Sequence, residues 1–593
     1  VLDLTRDPRW SRVEETFGED PVLSGVLGAS MVDGLGGGNL SQKYATIATL
    51  KHFLAYAVPE GGQNGNYASV GIRDLHQNFL PPFRKAIDAG ALSVMTSYNS
   101  IDGIPCTSNH YLLTQLLRNE WKFRGFVVSD LYSIEGIHES HFVAPTKENA
   151  AIQSVTAGVD VDLGGDAYTN LCHAVQSGQM DKTVIDTAVC RVLRMKFEMG
   201  LFEHPYVDPK IAAKTVCRKE HIELARKIAQ SSITLLKNEN SILPLSKTIN
   251  KVAVIGPNAD NRYNMLGDYT APQEDSNVKT VLDGILTKLS PFRVEYVRGC
   301  AIRDTTVNEI EQAIEAARRS EVVIVVVGGS SARDFKTSYK ETGAAVAEEG
   351  SVSDMECGEG FDRASLSLLG RQQELLESLQ KTGKPLIVVY IEGRPLEKNW
   401  ASEYADALLT AYYPGQEGGN AIADVLFGDY NPSGRLPISV PRSVGQIPVY
   451  YNKKAPRNHD YVEVPSSPLY SFGYGMSYTT FEYSDLQVVQ KSARCFEVSF
   501  KVKNTGKYDG EEVSQLYMRD EYASVVQPMK QLKHFERFHL KKGEEKKVTF
   551  VLTEEDFFLV NYTLKKVVES GTFQVMIGSS SDDIRLEKSI SVE

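Results

Sequence analysis

The chain has 593 residues and a formal net charge of −12, with 42% hydrophobic and 24% charged residues. A chain of this length exceeds what one hydrophobic core usually supports, so the length predicts several domains. The net negative charge argues against a nucleic-acid partner and against an anionic membrane surface, because both would repel the protein. No apolar run reaches the roughly 20 residues of a spanning helix, so we expect no membrane insertion.

Residues 1–206 alternate short apolar segments with helical ones. The apolar segments are "ATIATLKHF", "ALSVMTSYN", "GFVVSD" and "AGVDVDL". This alternation is typical of a parallel sheet that is covered by helices on both faces. A complete (β/α)8 barrel takes about 250 residues, and this region holds fewer strands than that fold requires. We therefore expect a (β/α)8-type barrel domain that is incomplete on its N-terminal side.

Four of these segments end on polar side chains. These side chains are Lys51 with His52, Tyr98 with Asn99, Asp130, and Asp160 with Asp162. In β/α barrels the carboxyl ends of the strands carry the chemistry. The sequence therefore predicts a polar site at this end of the sheet.

Asp130, which ends the segment "GFVVSD", has two interpretations. An aspartate between a strand and a helix often caps that helix. Together with Lys51, His52 and Arg12 it could instead be a nucleophile in a pocket whose cations bind sugar hydroxyl groups. The cations also have a structural interpretation, since Arg12 with Glu15 could be a helix-face ion pair of small worth.

Residues 207–228 are predicted to be a linker, and residues 229–428 a second domain, an α/β sandwich. Its strands are nearly continuous apolar runs, namely "KVAVIG", "RVEYVRG", "EVVIVVVGG", "KPLIVVYI" and "DALLTAYY". Such runs are typical of strands that are buried on both faces of an open sheet. The stretch "KTVCRKEHIELARKIAQSSITLLKNE" is predicted to be a linker and a helix that lead into this domain.

A polar stretch between Gly328 and Phe361 is longer than the ~12 to 15 residues beyond which a structureless loop is usually functional or disordered. Its end, "MECGEGFDR", contains Glu356, Glu359 and Asp362. Glycines on both sides of Glu359 would let the backbone bend this carboxylate into a neighbouring cleft. A solvated acidic loop is the alternative interpretation.

Residues 429–479 are predicted to be a connector, because they are rich in proline and glycine. Residues 480–593 then change to a period of two, as in "CFEVSFKV", where every second residue is apolar. This alternation predicts a small antiparallel β-sandwich.

The chemistry of a retaining glycosidase needs two carboxyl groups about 5 to 5.5 Å apart, one of them protonated at rest. A partner for Asp130 could be Asp160 or Asp162, although structural pairing suits these two equally well, or a carboxylate of the long polar loop. The seven cysteines are scattered singly and no metal or nucleotide motif is present, so we expect no metal and no cofactor.

Several longer segments resemble glycoside hydrolase family 3. They are "DPRWSRVEETFGEDP", "KHFLAYAVPEGG", "PPFRKAIDAGALSVMTSYNSIDGIPCTSN", "LRNEWKFRGFVVSD", "YYPGQEGGNAIADVLFGDYNPSGRLPISVP" and "PLYSFGYGMSYTTF". They follow the order of that family and extend over the whole chain. The resemblance implies a barrel, an α/β sandwich and, at residues 480–593, a fibronectin type III-like domain.

The resemblance also implies roles for individual residues. Asp130 would be the nucleophile that forms a glycosyl-enzyme intermediate. Glu359, in "GEGFDR", would be the acid/base, with Glu356 as the second choice. The residues that it implies for binding the terminal sugar are Arg12, Lys51, His52, Met95 and Tyr98.

The chain departs from the family pattern in three places. Many glucosidases of the family have Trp directly after the nucleophile, whereas this chain has Leu131, which changes the pocket wall and favours xylose. The loop before Glu359 contains the extra residues "ARDFKTSYKETGAAVAEEG", which keeps Glu356 open as the acid/base. The early barrel strands, with an Asp that usually binds the outer hydroxyl groups, have no counterpart before Val1, so we expect an open pocket.

The expected function is that of a retaining exo-acting β-glycosidase that removes terminal β-D-xylosyl or β-D-glucosyl residues from plant oligosaccharides. The alternatives are an α-L-arabinofuranosidase, a β-N-acetylhexosaminidase, and an inactive truncated or carbohydrate-binding relative. The oligosaccharide is the expected partner, and the oligomeric state is left open. An extracytoplasmic location, periplasmic or secreted, suits the breakdown of oligosaccharides.

Overall fold

The computed structural model describes residues 1–271, 273–332, 353–454 and 458–593, together with the backbone of Ser338–Tyr339 and Ala345–Val346. These residues form two compact units. The first contains Val1–Trp10 and Glu15–Lys214, and the second contains Ser11–Glu14 and Thr215–Glu593. The division into five segments at the predicted boundaries stays a prediction.

The first unit is built on a parallel sheet. The strands of this unit are β1 (Thr49–Phe53), β2 (Ser93–Thr96), β3 (Ser100–Ile101), β4 (Ile104–Pro105) and β5 (Phe126–Val128). The sheet has the order β1, β2, β5, and its register aligns Leu50 with Val94 and Val94 with Val127. β3 and β4 form a short antiparallel hairpin.

The predicted fourth strand, "AGVDVDL", is present only as an isolated parallel bridge between Val161 and Val128. The backbone N–H groups of Asp160 and Val161 both donate to the Val127 carbonyl. The carboxylate of Asp160 in turn accepts a hydrogen bond from Val127 N (2.8 Å). A side chain therefore takes the place of the next ladder hydrogen bond, and the strand prediction was wrong in extent.

Helices surround this sheet. They are α1 (Pro21–Gly36), α2 (Ile72–Asp74), α3 (Leu80–Asp88), α4 (Ser133–Glu139), α5 (Lys147–Ala157), α6 (Leu171–Gln176), α7 (Lys182–Glu198) and, at the boundary of the unit, α8 (Pro209–Thr215). Wider π-helical turns occupy Leu75–Phe79 and Tyr111–Glu120. The sheet and helices share one apolar core, in which Phe53, Phe83 and Leu116 are at most 1% exposed.

The second unit contains a six-stranded sheet. Its strands are β6 (Thr234–Asn238), β7 (Val252–Ile255), β8 (Val294–Val297), β9 (Val322–Gly328), β12 (Leu386–Ile391) and β13 (Ala407–Thr410), with β10 (Ser338–Tyr339) and β11 (Ala345–Val346) as a separate hairpin. The order is β6, β13, β12, β9, β7, β8. All neighbours are parallel except β6 and β13. The five predicted strands of this domain are confirmed.

β6 corrects one prediction, because its residues were assigned to the stretch of linker and helix. The helical pattern of that stretch ends with α9 (Lys219–Ser232), and the chain then enters the sheet as an antiparallel edge strand. The strand is too short for its own periodicity to separate it from the preceding helix.

The other helices of this sheet lie on both of its faces. They are α10 (Val281–Leu286), α11 (Ile310–Arg318), α12 (Gln372–Gln380), α13 (Asn399–Tyr404) and α14 (Gly418–Leu426). Every residue of β9 and β12 is buried, as expected of strands that are covered on both faces.

Residues from Phe481 onward form a β-sandwich, as predicted. One sheet contains β14 (Phe481–Ser492), β15 (Cys495–Asn504) and β18 (Glu545–Leu552); the other contains β17 (Gln531–Leu540), β16 (Gly510–Asp520), β21 (Gly571–Gly578) and β22 (Ile584–Val592). The short elements are α15 (Glu554–Phe557), β19 (Leu559–Val560) and β20 (Lys566–Val567). Alternate residues of β15, among them Phe496 and Val498, are buried in the core between the sheets.

Candidate active site

Asp130 lies two residues beyond β5, at a tight turn. Its side chain is buried, with 7% of the residue exposed. Oδ1 accepts a hydrogen bond from the backbone N–H of Leu131 (2.7 Å). The residue that caps α4 is Tyr132, in the left-handed conformation with φ 57°, and the helix has no side-chain cap. The capping interpretation of Asp130 is therefore wrong.

His52, on β1, is directed at Asp130 from the neighbouring strand. Its side chain is fully buried, and Nε2 lies 3.6 Å from Oδ2 of Asp130. The other ring nitrogen, Nδ1, lies 2.9 Å from Oδ2 of Asp3. Tyr56 packs against the ring edge-on, with centroids 4.9 Å apart. The structure thus brings together two of the predicted residues, His52 and Asp130, and adds a second carboxylate behind the histidine.

Lys51 precedes His52 on β1 and is partly exposed. Its Nζ lies 3.2 Å from Oε2 of Glu15, and the two side chains are 28% and 11% exposed. The ammonium group of this residue, which is the third of the five in β1, is therefore held by an ion pair. From this position it can still reach a ligand, because a partly exposed lysine has a long and adaptable side chain.

Met95 lies on β2, and Tyr98 lies in the turn that follows this strand. The hydroxyl group of Tyr98 donates to the carbonyl of Leu131 (2.9 Å), in the turn that contains Asp130. The backbone carbonyl of Tyr98 lies 2.8 Å from Nε2 of His141. Met95 is half-buried and pairs with Val128 in the sheet register. Tyr98 is therefore fixed to the turn of the candidate nucleophile.

Asp160, considered above as a second catalytic carboxylate, is bound to two guanidinium groups. Arg118 and Arg191 each approach it to 2.7 Å. Burial lowers the pKa of Arg118 to about 10. These contacts support the structural interpretation of Asp160. Asp162 is less buried, and Oδ2 accepts a hydrogen bond from Tyr168 N (3.2 Å).

Glu359 belongs to the second unit and lies on the segment between β11 and α12. The residue is 5% exposed, and Oε1 lies 3.2 Å from Nη1 of Arg12. The hydroxyl group of Tyr269 donates to Oε2. The backbone N–H of Glu359 donates to Oδ2 of Asp268 (3.0 Å). The solvated-loop interpretation is therefore wrong for Glu359, because its carboxylate is buried and hydrogen-bonded.

The backbone around Glu359 uses both flanking glycines. Gly358 and Gly360 have φ values of 93° and 92°, a region that favours glycine. The extra residues "ARDFKTSYKETGAAVAEEG" lie, apart from Ala332 and the backbone of β10 and β11, outside the described residues.

Glu356 is more deeply bound than Glu359. It is 2% exposed, and Oε2 lies 2.6 Å from Nη1 of Arg363 and 3.5 Å from Nε of Arg394. Arg394 also donates to the carbonyls of Glu356 (2.9 Å) and Phe361 (2.8 Å). Glu356 thus joins both ends of the loop that presents Glu359, which is a structural arrangement.

Three polar residues that contact His52 or Glu359 were not predicted as site residues. Asp3 lies 49 residues from His52 in the sequence, and Tyr269 lies 90 residues from Glu359. Asp268 is the neighbour of Tyr269. The motif "LGDY" that contains the last two has no periodicity or spacing that marks it as functional.

Comparison with known proteins identifies the family. Family models match residues 1–195 (Glycosyl hydrolase family 3 N terminal domain), 233–478 (Glycosyl hydrolase family 3 C-terminal domain) and 512–581 (Fibronectin type III-like domain). The chain belongs to glycoside hydrolase family 3. The resemblance inferred from the sequence motifs is confirmed, and so is the predicted class of multidomain α/β fold with a fibronectin type III-like domain.

Relatives within glycoside hydrolase family 3 match almost the whole chain. A β-xylosidase of Formosa agariphila is 39% identical over 98% of this chain and 80% of its own. A periplasmic β-glucosidase of Salmonella typhimurium is 37% identical over 99% of this chain and 79% of its own. The crystal structure of a β-glucosidase from Listeria innocua in complex with glucose matches with a TM-score of 0.91 and 35% identity, over 100% of this chain and 80% of that one. The chain is a glycoside hydrolase.

Proposed function

We propose that the protein is a retaining exo-acting β-glycosidase in which Asp130 is the nucleophile and Glu359 the acid/base. The observation that carries the proposal is the buried carboxylate of Asp130, which lies just beyond the carboxyl end of β5, caps no helix and faces the imidazole of His52. In this fold, residues at the carboxyl ends of strands perform the chemistry. Membership of glycoside hydrolase family 3 supports this proposal.

The proposed reaction has two steps. In the first, an oxygen of Asp130 forms a bond to the anomeric carbon, the glycosidic bond breaks, and Glu359 gives its proton to the leaving oxygen. In the second, Glu359 takes a proton from water, the water oxygen bonds to the anomeric carbon, and the electron pair of the ester bond returns to Asp130. Protons and charges balance over the cycle, so no metal or cofactor is required.

The residues proposed to bind the sugar form two groups, one around the turn of Asp130 and one next to Glu359. Lys51, His52 and Tyr98 are held around the turn of Asp130, with Met95 as an apolar contact on β2. Arg12 is held next to Glu359. Lys51 and Arg12 can donate hydrogen bonds to sugar hydroxyl groups and so hold the ring in position for attack at the anomeric carbon.

The proposed substrates are terminal β-D-xylosyl or β-D-glucosyl residues of plant oligosaccharides. The names of the relatives, β-xylosidase and β-glucosidase, support these two sugars. Leu131, which follows the nucleophile, favours xylose because an aliphatic residue replaces an aromatic wall.

We also propose an extracytoplasmic location. One relative is named as periplasmic. Among the described residues, no helix is long and apolar enough to cross a membrane.

The first test is kinetic. Values of kcat/KM are measured on aryl β-xyloside, aryl β-glucoside and aryl α-L-arabinofuranoside, for the protein and for Asp130→Asn. Loss of the nucleophile is expected to lower kcat by about 10⁵-fold on every substrate that is turned over. The ratio of kcat/KM between the three substrates identifies the sugar.

Two outcomes would contradict the proposal. Full activity of Asp130→Asn would exclude this residue as the nucleophile. Binding of an intact oligosaccharide by calorimetry, without turnover by the parent protein, would instead support a carbohydrate-binding relative.

A further inference from the structure

Asp3 lies at one end of a row of three buried groups. Its side chain is fully buried, and Oδ2 accepts a hydrogen bond from the backbone N–H of His52 (3.0 Å). Oδ1 accepts one from the backbone N–H of Tyr56 (3.2 Å). The ring of His52 comes next, 2.9 Å from Asp3 through Nδ1. Asp130 follows, 3.6 Å from Nε2.

These contacts assign the protons on the imidazole ring. Both oxygens of Asp3 accept backbone N–H bonds, which stabilises the ionised carboxylate. An ionised carboxylate has no proton to donate, so Nδ1 of His52 carries the hydrogen between the two groups. Nε2 then faces the carboxylate of Asp130. A neutral ring would direct a lone pair at that carboxylate, whereas an imidazolium directs an N–H at it.

The surroundings of the ring favour the charged form. Burial alone disfavours an imidazolium, but a carboxylate on each side favours it. The edge of the Tyr56 ring, at 69° to the imidazole, fills a third side without adding a charge. Lys51, the nearest cation along the chain, is paired with Glu15 at 3.2 Å, which offsets its charge.

We propose that Asp3 is a positioning residue that holds His52 as an imidazolium with its Nε2–H directed at Asp130. The proposal deepens the proposed function, since it depends on Asp130 being the nucleophile for its catalytic consequence. A cation at this place stabilises ionised Asp130 before attack. It stabilises the same carboxylate again when the ester bond breaks and the electron pair returns to its oxygen.

The charge of the ring can be measured without any enzymatic assay. The protein is prepared with nitrogen-15 in its histidine rings, and His52 is assigned by the signal that disappears in His52→Gln. At mildly alkaline pH an ordinary histidine, with a pKa of about 6.5, is neutral. We expect both ring nitrogens of His52 to carry hydrogen at this pH, and a neutral ring in Asp3→Asn.

Two results of this measurement would overturn the proposal. One is a neutral His52 ring in the parent protein, a result that needs no folded Asp3 variant. The other is a ring that remains an imidazolium in Asp3→Asn. Neither result depends on turnover. Full activity of Asp130→Asn would therefore contradict the proposed function, but the nitrogen-15 measurement would still decide the charge of the His52 ring.

Kinetics then test how Asp3 acts. Asp3→Asn is expected to lower kcat by about 100-fold, with a smaller change in KM. The reason is that His52 loses the charge that stabilises the Asp130 carboxylate when the ester bond breaks. The double variant with His52→Gln should lose no more than His52→Gln alone, since Asp3 acts through this ring. Additive losses would show a role independent of His52 and would contradict the proposal.

Asp7→Asn is the matched control. Asp7 is a largely buried carboxylate of the same segment, and it is bound to Arg9 at 2.6 Å. Its removal also breaks one ion pair, in which the side chains of Arg9 and Asp7 are 27% and 12% exposed, so thermal unfolding of the two variants compares their effects on stability. We expect kcat and the His52 signals to remain those of the parent protein in Asp7→Asn.

Discussion

Asp130 and Glu359 are buried to a similar extent, but different parts of the chain hold them in place. Asp130 follows a strand whose neighbours and register fix the backbone, and its first hydrogen bond comes from the next residue. Glu359 lies on a loop, and its contacts come from Arg12, Tyr269 and Asp268. One position is set by a sheet, and the other by side chains from distant segments. The second should therefore be easier to disturb by single substitutions.

The largest expected effect separates the chemical roles of the two carboxylates. Glu359→Gln should lower kcat/KM about 10³-fold on an unactivated disaccharide, because the leaving oxygen then receives no proton. A dinitrophenyl glycoside needs no such proton and should be affected much less. Asp130→Asn should lose activity on both substrates. Equal losses of Glu359→Gln on the two substrates would show that this residue is not the acid.

A second prediction concerns the support of the loop. Glu356→Gln should lower the free energy of unfolding by about 3 kcal/mol, because it leaves Arg363 and Arg394 buried without their carboxylate. Glu374→Gln, which breaks an exposed pair with Arg371, is the control and should change stability by less than about 1 kcal/mol. Chemical denaturation measures both values.

The same Glu356→Gln variant also decides between the two glutamates. Below its unfolding transition it should retain the ordinary ratio of rates on activated and unactivated substrates. A selective loss on the unactivated substrate would instead identify Glu356 as the acid/base.

A third prediction tests the backbone of the loop. A Cβ at Gly358 would lie 3.1 Å from Oδ2 of Asp268, at a φ of 93°. Gly358→Ala should therefore cost about 1 to 2 kcal/mol of stability and lower kcat, since Asp268 also holds the backbone of Glu359. Gly383→Ala is the control, because its φ is 68° but no atom lies within 4 Å. It should cost stability and leave kcat unchanged.

The smallest expected effect is that of a single hydroxyl group. Tyr269→Phe removes the donor to Oε2 of Glu359 and should lower kcat/KM on a disaccharide about fivefold, the equivalent of about 1 kcal/mol. The activated aryl glycoside should show less change. No difference between the two substrates would mean that Tyr269 does not act through Glu359.

The sequence was most informative where local pattern and structure agree. The apolar runs of the second domain predicted five parallel-sheet strands, and the alternation in β15 predicted a sandwich. Asp130 could be found because a strand end is visible in sequence. The glycines beside Glu359 likewise predicted an unusual backbone, which the φ values show.

The remaining features depend on contacts between distant residues. Asp3 is an unremarkable aspartate in the sequence, and only the folded chain brings it to His52. The carboxylate of Asp160 accepts a hydrogen bond from Val127 N, which a longer fourth strand would have bound instead. Strand propensities of single residues do not predict such a replacement. β6 was missed because its few residues directly follow an amphipathic helix.

β6 also has a consequence for the behaviour of the chain before it is fully folded. An edge strand with unpaired N–H and C=O groups can recruit a strand of another chain and so begin aggregation. At the outer side of β6, the backbone N–H of Met476 donates to the carbonyl of Leu235 (2.8 Å), and the two residues form an antiparallel bridge. A segment more than 200 residues later along the chain therefore covers this edge. Until that segment has been synthesised and has docked, the edge of β6 can pair with another chain. Coexpression with a chaperone should therefore reduce aggregation mainly by protecting the chain during this interval.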